Sequence, residues 1–264
     1  MAQTKVSLII SVYNDLAALN LILKSICRQS FKGTIEVIIA EDKQCLNMQD
    51  HVHKWRNQYI FPIKHIHQED IGFRKCKILN QAIREAGSEY LIFIDGDCIL
   101  HKHFIREHLK FAQAGRVVYG RRVMLSAFLT RKLIQLQKLY FLNFFILLLT
   151  ACKRLDAGLF LSNSKPIEKI GFWGHNWSIH ASDIKLVGGF DESYNKAGIG
   201  EDTDIEWRLQ QKGIKFIRIK NRAIQYHLYH KSNYPDTKSV EEILAHKKNR
   251  FQSGDHSVLQ GSLQ

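Results

Sequence analysis

Two carboxylates, Asp95 and Asp97, follow a short apolar run, and their type and spacing could bind a metal ion. Residues 90–94 are almost all apolar and rich in β-forming types, which predicts a buried strand that ends just before Asp95. Parallel α/β sheets bind ligands outside the carboxyl ends of their strands. Two carboxylates separated by Gly96 could therefore hold Mg²⁺ or Mn²⁺ against a diphosphate. The Asp-x-Asp pair alone is weak evidence, because surface turns also favour Asp and Gly.

Acidic residues stand at two further places that could take part in chemistry. Asp42 follows a predicted second strand, and Glu201 and Asp202 open a predicted helix after a glycine-containing segment. Each has an ordinary explanation, since loop carboxylates are usually solvated and acids in a first helical turn suit the helix dipole. The glycine- and aromatic-rich stretch around Trp173 and Trp177 indicates a shaped surface, with packing anchors as the alternative.

The elements that must position these residues alternate along the first half of the chain. Strands are predicted at 5–12, 35–40, 63–68 and 90–94, with a helix in each interval. This order predicts an α/β fold with a doubly wound, mostly parallel sheet and helices on both faces. After about residue 120 we expect helices at 182–187 and 201–212 and strands at 215–219 and 223–227. No P-loop is present and no G-x-G-x-x-G follows the first strand, so any nucleotide is held in another way.

Composition narrows the class of protein. The 264 residues fit one large domain or two fused lobes, and the formal net charge of +13 implies an anionic partner. The positive charges are spread along the chain, so nucleic acid is the least favoured of the anionic partners. The five cysteines lack C-x-x-C spacing and no signal-peptide pattern is evident, which predicts a cytoplasmic protein.

An apolar segment at 139–152 has two interpretations. It is too short to span a bilayer, which requires about 20 apolar residues. We favour a buried core helix that joins the two halves, or self-association through residues 126–154. The alternative is contact with an anionic membrane, peripherally on its cytoplasmic face, helped by flanking basic residues: Arg131, Lys132, Lys138, Lys153 and Arg154.

Seven segments, in order, resemble one enzyme family. Residues 11–14, 38–42, 72–80 and 93–97 resemble the nucleotide-sugar half of family 2 glycosyltransferases with the GT-A fold. Residues 176–182, 187–192 and 200–209 resemble the acceptor-side segment of inverting galactosyl- and N-acetylhexosaminyl-transferases, including bacterial chondroitin polymerases. The resemblance implies a Rossmann-like GT-A domain with a nucleotide-sugar half (1–120) and an acceptor-binding and catalytic half (121–234). Residues 235–264 would form a polar helix and a loose tail.

The resemblance also implies roles for individual residues. Asp202 would be the general base, and Glu201 would orient the acceptor. Asp97 would bind the metal directly together with a late histidine, and Asp95 would touch the ribose or the metal. The predicted histidine is His227 as first choice and His230 as second. The predicted donor-binding residues are Ser11, Tyr13, Asn14, Asp42, Gly72, Lys77, Asp95, Gly96 and Asp97, and the predicted acceptor-binding residues are Trp173, Gly174 and Asn176.

The implied reaction moves a hexose or N-acetylhexosamine from a UDP-sugar to a hydroxyl of a glycan acceptor, with Mn²⁺ or Mg²⁺. The acceptor would be a saccharide or glycolipid, such as lipopolysaccharide, capsule or a lipid-linked saccharide. A sugar-phosphate nucleotidyltransferase is the alternative, because it also uses an α/β sheet and paired carboxylates. That class expects a glycine-rich basic loop near the N-terminus, which residues 11–15 lack.

Overall fold

The computed structural model describes residues 5–198 and 200–231 and, beyond them, residues 241, 245, 249–250, 253–254, 258 and 261–263. The strands are β1 (Lys5–Val12), β2 (Thr34–Glu41), β3 (Ile63–His67), β4 (Tyr90–Asp95), β5 (Cys98–Leu100), β6 (Arg116–Tyr119), β7 (Arg121–Met124), β8 (Ile167–Glu168), β9 (Asn176–His180), β10 (Lys215–Arg218) and β11 (Ile224–His227). The helices are α1 (Leu16–Cys27), α2 (Leu46–Gln58), α3 (Lys75–Glu85), α4 (Phe104–Lys110), α5 (Ala127–Leu136), α6 (Phe144–Leu149), α7 (Ala181–Leu186) and α8 (Glu201–Gln211). Two short 3-10 helices lie at Leu139–Phe141 and Leu155–Ala157.

In the described residues, eight strands form a central sheet in the order β3-β2-β1-β4-β9-β6-β10-β8. The first four strands of the chain pair in parallel, as do β6 and β10. β9 is antiparallel to both β4 and β6, and β8 is antiparallel to β10. The predicted α/β fold with a mostly parallel sheet is confirmed. Because β9 comes from the second half of the chain and lies beside β4, residues of both halves meet at the end of β4.

Two apolar clusters cover the two faces of this sheet. Successive side chains of a strand point to opposite faces, so Leu8 and Ile10 of β1 join one cluster and Ile9 joins the other. α1 and α2 pack on the Leu8 face, and α3, α7 and α8 pack on the Ile9 face. The near-continuous apolar runs of β1, β2 and β4 follow from this, because each strand is buried on both sides. The predicted helices on both faces are confirmed.

β9 is an element that the sequence analysis did not predict. Trp177 of β9 stacks on Phe93 with ring centroids 4.4 Å apart, so it is a packing anchor. Ser178 is fully buried, and its hydroxyl lies 2.8 Å from the Tyr90 hydroxyl and 2.7 Å from Nδ1 of His108. These internal hydrogen bonds permit polar residues in a central strand, whereas the same residue types suggest a loop when only the sequence is considered.

The segment 139–152 is not the buried core helix that the sequence favoured. α5 ends at Leu136, Gln137 adopts a left-handed conformation with φ of 51°, and α6 is only six residues long. Leu147 is buried, but Phe145 and Leu149 are 75% and 83% exposed. An all-apolar run has no periodicity to indicate which side faces the core, and here only one side does. Within the described part of the chain, every helix is too short or too polar to traverse a bilayer.

Most of the predicted C-terminal helix and tail (235–264) lies outside the described residues. The described residues of this region make specific contacts. Leu263 donates its backbone N–H to the carbonyl oxygen of Gly188 at 2.9 Å and packs against the Ile9-face cluster. Arg250 lies 2.9 Å from a carboxylate oxygen of Asp191 and 3.0 Å from one of Asp204.

Candidate active site

The candidate site lies at the carboxyl end of β4. β4 ends at Asp95, and the antiparallel β9 begins at the same edge because Asn176 pairs with Ile94. The backbone N–H of Gly96 donates to the carbonyl oxygen of Ser11 at 2.7 Å, and a Cβ at Gly96 would lie only 2.8 Å from that oxygen. Only glycine therefore lets the turn pack against the end of β1. Both carboxylates leave the sheet at this edge.

Asp97, His227 and His230 form a cluster that could hold a metal ion. Their ligand atoms lie within 4.8 Å of one another, and Nε2 of His227 and of His230 lie 3.1 and 3.2 Å from Asp97 Oδ2. A second sheet of order β5-β11-β7 brings them together, because His227 pairs with Cys98, the residue after Asp97. Burial opposes ionisation, but hydrogen bonds from both histidines hold the pKa of Asp97 well below its usual range. One carboxylate and two imidazoles suit Mn²⁺ somewhat better than Mg²⁺.

The basic residue at the site is Lys75, and not Lys77 as predicted. Lys75 Nζ lies 2.8 Å from Oδ1 of Asp95, so Asp95 lies outside the histidine cluster and pairs with an ammonium group. Burial disfavours the charged lysine, but Asp95, Asp202 and Glu201 outweigh it and raise the pKa of Lys75. Two residues along a helix correspond to a rotation of about 200°. Lys77 is consequently absent from the lining of the cleft.

Asp202, the predicted general base, lies near Lys75 at the start of α8. The backbone N–H of Gly174 donates to Asp202 Oδ2 at 2.8 Å, and a Cβ at Gly174 would overlap Asp202 Oδ1. Burial and the neighbouring Glu201 raise the pKa of Asp202 to about 7, although Lys75 lowers it. A carboxylate whose pKa lies near neutrality can accept a proton at physiological pH. Glu201 is the first residue of α8, beside this carboxylate.

A cleft of about 830 Å³ opens beside these residues, large enough for a nucleotide-sized ligand. Tyr13 is half exposed at the cleft, where its hydroxyl donates to the Asp70 carboxylate at 3.0 Å. Lys43 lies over the same ring, with Nζ 5.1 Å from the ring centroid. The lining includes the predicted donor-binding residues other than Lys77: Ser11, Tyr13, Asn14, Asp42, Gly72, Asp95, Gly96 and Asp97.

Asp42 lies in this cleft with both carboxylate oxygens already engaged. The backbone N–H of Arg74 donates to Oδ2 at 2.7 Å, and the side-chain amide of Gln68 donates to Oδ1. Burial raises the pKa of Asp42, although these hydrogen bonds oppose the rise. Asp42 thus anchors the loop that carries Gly72, whose φ of +91° is a conformation that favours glycine. A nucleotide base would have to share these oxygens with the loop.

The three predicted acceptor-binding residues have different environments in the structure. Trp173 is 42% exposed, and Gly174 contacts the predicted base. Asn176 is fully buried, where its side-chain N–H donates to the Ala223 carbonyl oxygen at 3.0 Å and its Oδ1 lies 3.0 Å from Nε2 of His108. Asn176 is therefore an internal structural residue, and its prediction as an acceptor contact was wrong. The sequence motif does not show which side chains point into the protein and which point to solvent, because this depends on the direction of β9 in the sheet.

Arg122 of β7 is a further cation near the histidine cluster, and the sequence analysis did not predict it. Its charge acts on His175 and His230, and its Nε is buried without a hydrogen-bond partner among the described residues. No sequence pattern marks Arg122. Lys75 could have been found, because a lysine at the first position of a helix after Gly72 lies at the edge where that helix begins.

Two family models match the chain and together cover the site. The model of glycosyl transferase family 2 matches residues 7–182, which include Asp95 and Asp97. A model described as the N-terminal domain of galactosyltransferase matches residues 160–231, which include Asp202 and both histidines of the cluster.

Curated relatives match most of this chain at low identity. Validoxylamine A glucosyltransferase from Streptomyces hygroscopicus subsp. jinggangensis is 26% identical over 228 residues, which are 79% of this chain and 52% of that protein. Chondroitin synthase from Escherichia coli is 23% identical over 250 residues, which are 84% of this chain and 34% of that protein. The chain therefore spans about half of the first relative and about a third of the second.

Solved structures show the same fold. S. aureus TarS 1-349 in complex with UDP-GlcNAc superposes with a TM-score of 0.63 at 17% identity, covering 91% of this chain and 64% of that one. GalNAc-T7 with UDP, GalNAc and Mn²⁺ gives a TM-score of 0.65 at 11% identity, covering 92% and 48%. At such identities the likeness concerns the fold, whereas the family match covers more than half of the sequence. The chain belongs to glycosyl transferase family 2 and has the GT-A fold.

Proposed function

We propose that this chain transfers a hexose or an N-acetylhexosamine from a UDP-sugar to a hydroxyl of a glycan acceptor, with inversion at the anomeric carbon. The observation that carries the proposal is that Lys75, Asp97 and His230 line one cleft, with His227 in the same cluster and with Asp202 close enough to act on the charge of Lys75. Family membership supports sugar transfer. The TarS structure contains UDP-GlcNAc and the GalNAc-T7 structure contains UDP, which supports a uridine nucleotide as donor.

In this reaction Asp202 accepts the proton of the acceptor hydroxyl while the hydroxyl oxygen forms a bond to the anomeric carbon. The bond from that carbon to the diphosphate oxygen breaks in the same displacement, and its electron pair leaves on UDP. Attack from the face opposite the leaving group inverts the anomeric centre. A positioned base contributes about 10²–10⁴-fold to such a rate. Gly174 fixes the orientation of the carboxylate through its backbone N–H.

Lys75 acts on the leaving-group side. Its ammonium group lies in the cleft at the end of β4, where Asp95 holds it, and it stabilises negative charge on the departing diphosphate. Asp97, His227 and His230 would hold a divalent cation, Mn²⁺ in preference to Mg²⁺, which supplies further positive charge to the diphosphate. Ser11, Tyr13, Asn14 and Gly72 line the cleft for the nucleotide.

Nucleotide release tests this function. Incubation with a panel of sugar nucleotides and Mn²⁺ should release UDP from UDP-hexoses or UDP-N-acetylhexosamines, and addition of the correct acceptor should accelerate the release. Asp97→Ala should abolish the cation-dependent rate, and Thr203→Ala, an exposed neighbour of the base on α8, should leave it unchanged. Turnover that survives Asp97→Ala and needs no cation would contradict the proposal.

The acceptor side includes a surface that could bind an anionic membrane. A glycolipid acceptor would lie in that membrane. Exposed apolar residues cluster on and around α6, namely Tyr140, Phe145, Leu148 and Leu149. Exposed basic residues flank them in the sequence: Arg131, Lys132, Lys138, Lys153 and Arg154. Partial insertion of apolar side chains combined with attraction of basic ones is the usual mode of peripheral binding. The segment ends at Arg154, whose guanidinium contacts Trp173 beside the site.

Vesicle flotation tests the membrane surface. The protein should float with vesicles that contain phosphatidylglycerol and not with neutral ones, and Leu149→Glu should abolish flotation. Leu186→Glu is the matched control, because Leu186 is also exposed but lies on α7, on the opposite face of the sheet. No binding to anionic vesicles, with a dimer in sedimentation that Leu149→Glu dissociates, would assign the same surface to self-association.

A further inference from the structure

Three arginines and a tryptophan form an unexplained cluster on the acceptor side of the site. We propose that Arg121, Arg154 and Arg218, called here the arginine cluster, bind an anionic group of the acceptor, a carboxylate or a phosphate, while Trp173 packs against the sugar that carries it. The inference rests on the proposed glycosyl transfer and names the chemical class of its acceptor.

Two of the guanidinium groups lie on one exposed ring. The guanidinium carbon of Arg154 lies 4.9 Å from the Trp173 ring centroid, and that of Arg121 lies 5.2 Å from it. Trp173 is 42% exposed and Arg154 is exposed, so a ligand can reach both. Cation–π contact orients an arginine while it leaves the planar N–H edge free for an anion.

The positive charges of the cluster act on one another. Burial lowers the pKa of Arg121, and Arg218 and Arg154 lower it further, while Tyr119 acts in the opposite direction. The Nε of Arg218 is buried without a hydrogen-bond partner among the described residues. A bound anion would relieve this repulsion and satisfy the unused donors.

No described carboxylate lies within ion-pair distance of these three arginines, of which Arg154 is exposed and the other two are half-buried. Arg208 lies 2.8 Å from Asp204, and Arg222 lies 2.7 Å from Glu107. Both of these buried arginines thus have a carboxylate partner, which the cluster lacks among the described residues. The nearby carboxylate of Glu206 accepts backbone N–H groups from the loop before Trp173 instead.

The position of the cluster assigns it to the acceptor and not to the donor. Trp173 directly precedes Gly174, whose N–H donates to the base Asp202. Arg218 ends β10 and Arg121 begins β7, after the end of β6, so both lie at the ligand-binding edge of the sheet. None of the three arginines lines the nucleotide cleft in the described residues. An anion bound there would lie near the base and outside the nucleotide cleft.

The planar guanidinium fork matches carboxylates and phosphates through paired hydrogen bonds, and a tryptophan face packs on the apolar face of a sugar ring. The acceptor class is therefore an acidic saccharide, in which the anion is a uronate carboxylate or a phosphate ester.

Equilibrium binding to the UDP-loaded protein tests the inference without turnover. The probes are methyl glucuronide, glucose 6-phosphate and neutral methyl glucoside, followed by quenching of tryptophan fluorescence and by NMR line broadening. At least one anionic probe should bind, and Arg154→Gln should weaken its binding about 10- to 100-fold, the value of a charge-assisted hydrogen bond. Arg154→Lys should lose most of this affinity as well, because an ammonium group lacks the fork.

Arg28→Gln is the control, because it removes an exposed arginine outside the cluster. Binding of the glucuronide alone would identify a carboxylate, binding of glucose 6-phosphate alone would identify a phosphate, and binding of both would identify an anion site of the shared chemistry. Equal affinity for the neutral probe, or no effect of Arg154→Gln, would overturn the inference. UDP release without acceptor should stay unchanged in the Arg28→Gln control. If the unsubstituted protein released no UDP from any sugar nucleotide, the proposed function would be refuted. The binding measurements would still decide whether the arginine cluster holds an anion.

Discussion

Replacement of Asp202 with asparagine should remove most of the activity. It should also remove the decrease in kcat/KM that we expect at acidic pH. Burial and Glu201 raise the pKa of Asp202 to about 7, and a general base works only in its ionised form. In the unsubstituted protein kcat/KM should therefore be nearly constant above about pH 8 and fall about tenfold per unit below about pH 6. This acid limb of the pH profile follows the protonated fraction of Asp202, because the protonated carboxyl group cannot act as a base.

The charged groups that face Asp202 offer an internal check of this reasoning. Glu201 on α8 and Asp95 on β4 raise its pKa, whereas Lys75 on α3 and the N–H of Gly174 lower it. Glu201→Gln should consequently move the acid limb to lower pH, and Lys75→Met should move it to higher pH. Opposite shifts from two neighbours would be hard to obtain from a base located elsewhere.

The asparagine variant should lose about 10²–10⁴-fold in kcat at pH 8. Its amide oxygen can still accept the N–H of Gly174, so the fold should persist. Because folding raises the pKa of this carboxyl group, its ionisation destabilises the folded state as pH rises through about 7. The neutral variant should therefore have an equal or higher Tm at pH 8.

Initial rates over a series of pH values at saturating Mn²⁺ give the test, because saturation removes the competing effect of protons on the histidine ligands. Thr203→Ala serves as the control. An Asp202→Asn variant that keeps the original rate, or keeps the original acid limb, would refute the assignment of the base.

Three further predictions concern single side chains. Gly174→Ala places a methyl group against Asp202 Oδ1, and steady-state kinetics should show kcat reduced by at least about tenfold. His230→Ala removes one of three ligand atoms. In a titration of activity with Mn²⁺, the concentration for half-saturation should rise at least about tenfold above that of the unsubstituted protein. An unchanged concentration would exclude His230 from the metal site. Trp177→Ala removes a fully packed ring and should lower the free energy of unfolding in urea by about 3–5 kcal/mol, while Trp173→Ala should cost less than about 1 kcal/mol. Equal losses for the two tryptophans would contradict their different burial.

The first half of the fold is predictable because its signals are local. Apolar runs bounded by turn residues mark β1, β2 and β4, and Asp15 caps α1 with its side chain, as a residue of that type should. β9 gives no such signal, because the partners of its polar residues lie far away in sequence. Ser178, for example, meets His108 across seventy positions.

The candidate site divides in the same way. Asp95, Asp97 and Asp202 were identified by type and motif, and the structure brings them to one edge of the sheet. The choice between Lys75 and Lys77 depends on where α3 starts, and the burial of Asn176 depends on the direction of β9. Both are questions of orientation, which a motif does not contain.

The sequence by itself determined the chemical inventory of this protein: carboxylates at strand and helix ends, two late histidines, and a net charge of +13. It also determined the alternation that makes a parallel sheet, because periodicity and propensity act between neighbours in the chain. Only the tertiary structure decided which groups meet. The pairing of β11 with β5 joins His227 to Asp97, and the surface position of α6 leaves its apolar residues exposed. Contacts between residues a hundred or more positions apart depend on how all the elements pack together, and no local pattern records that packing.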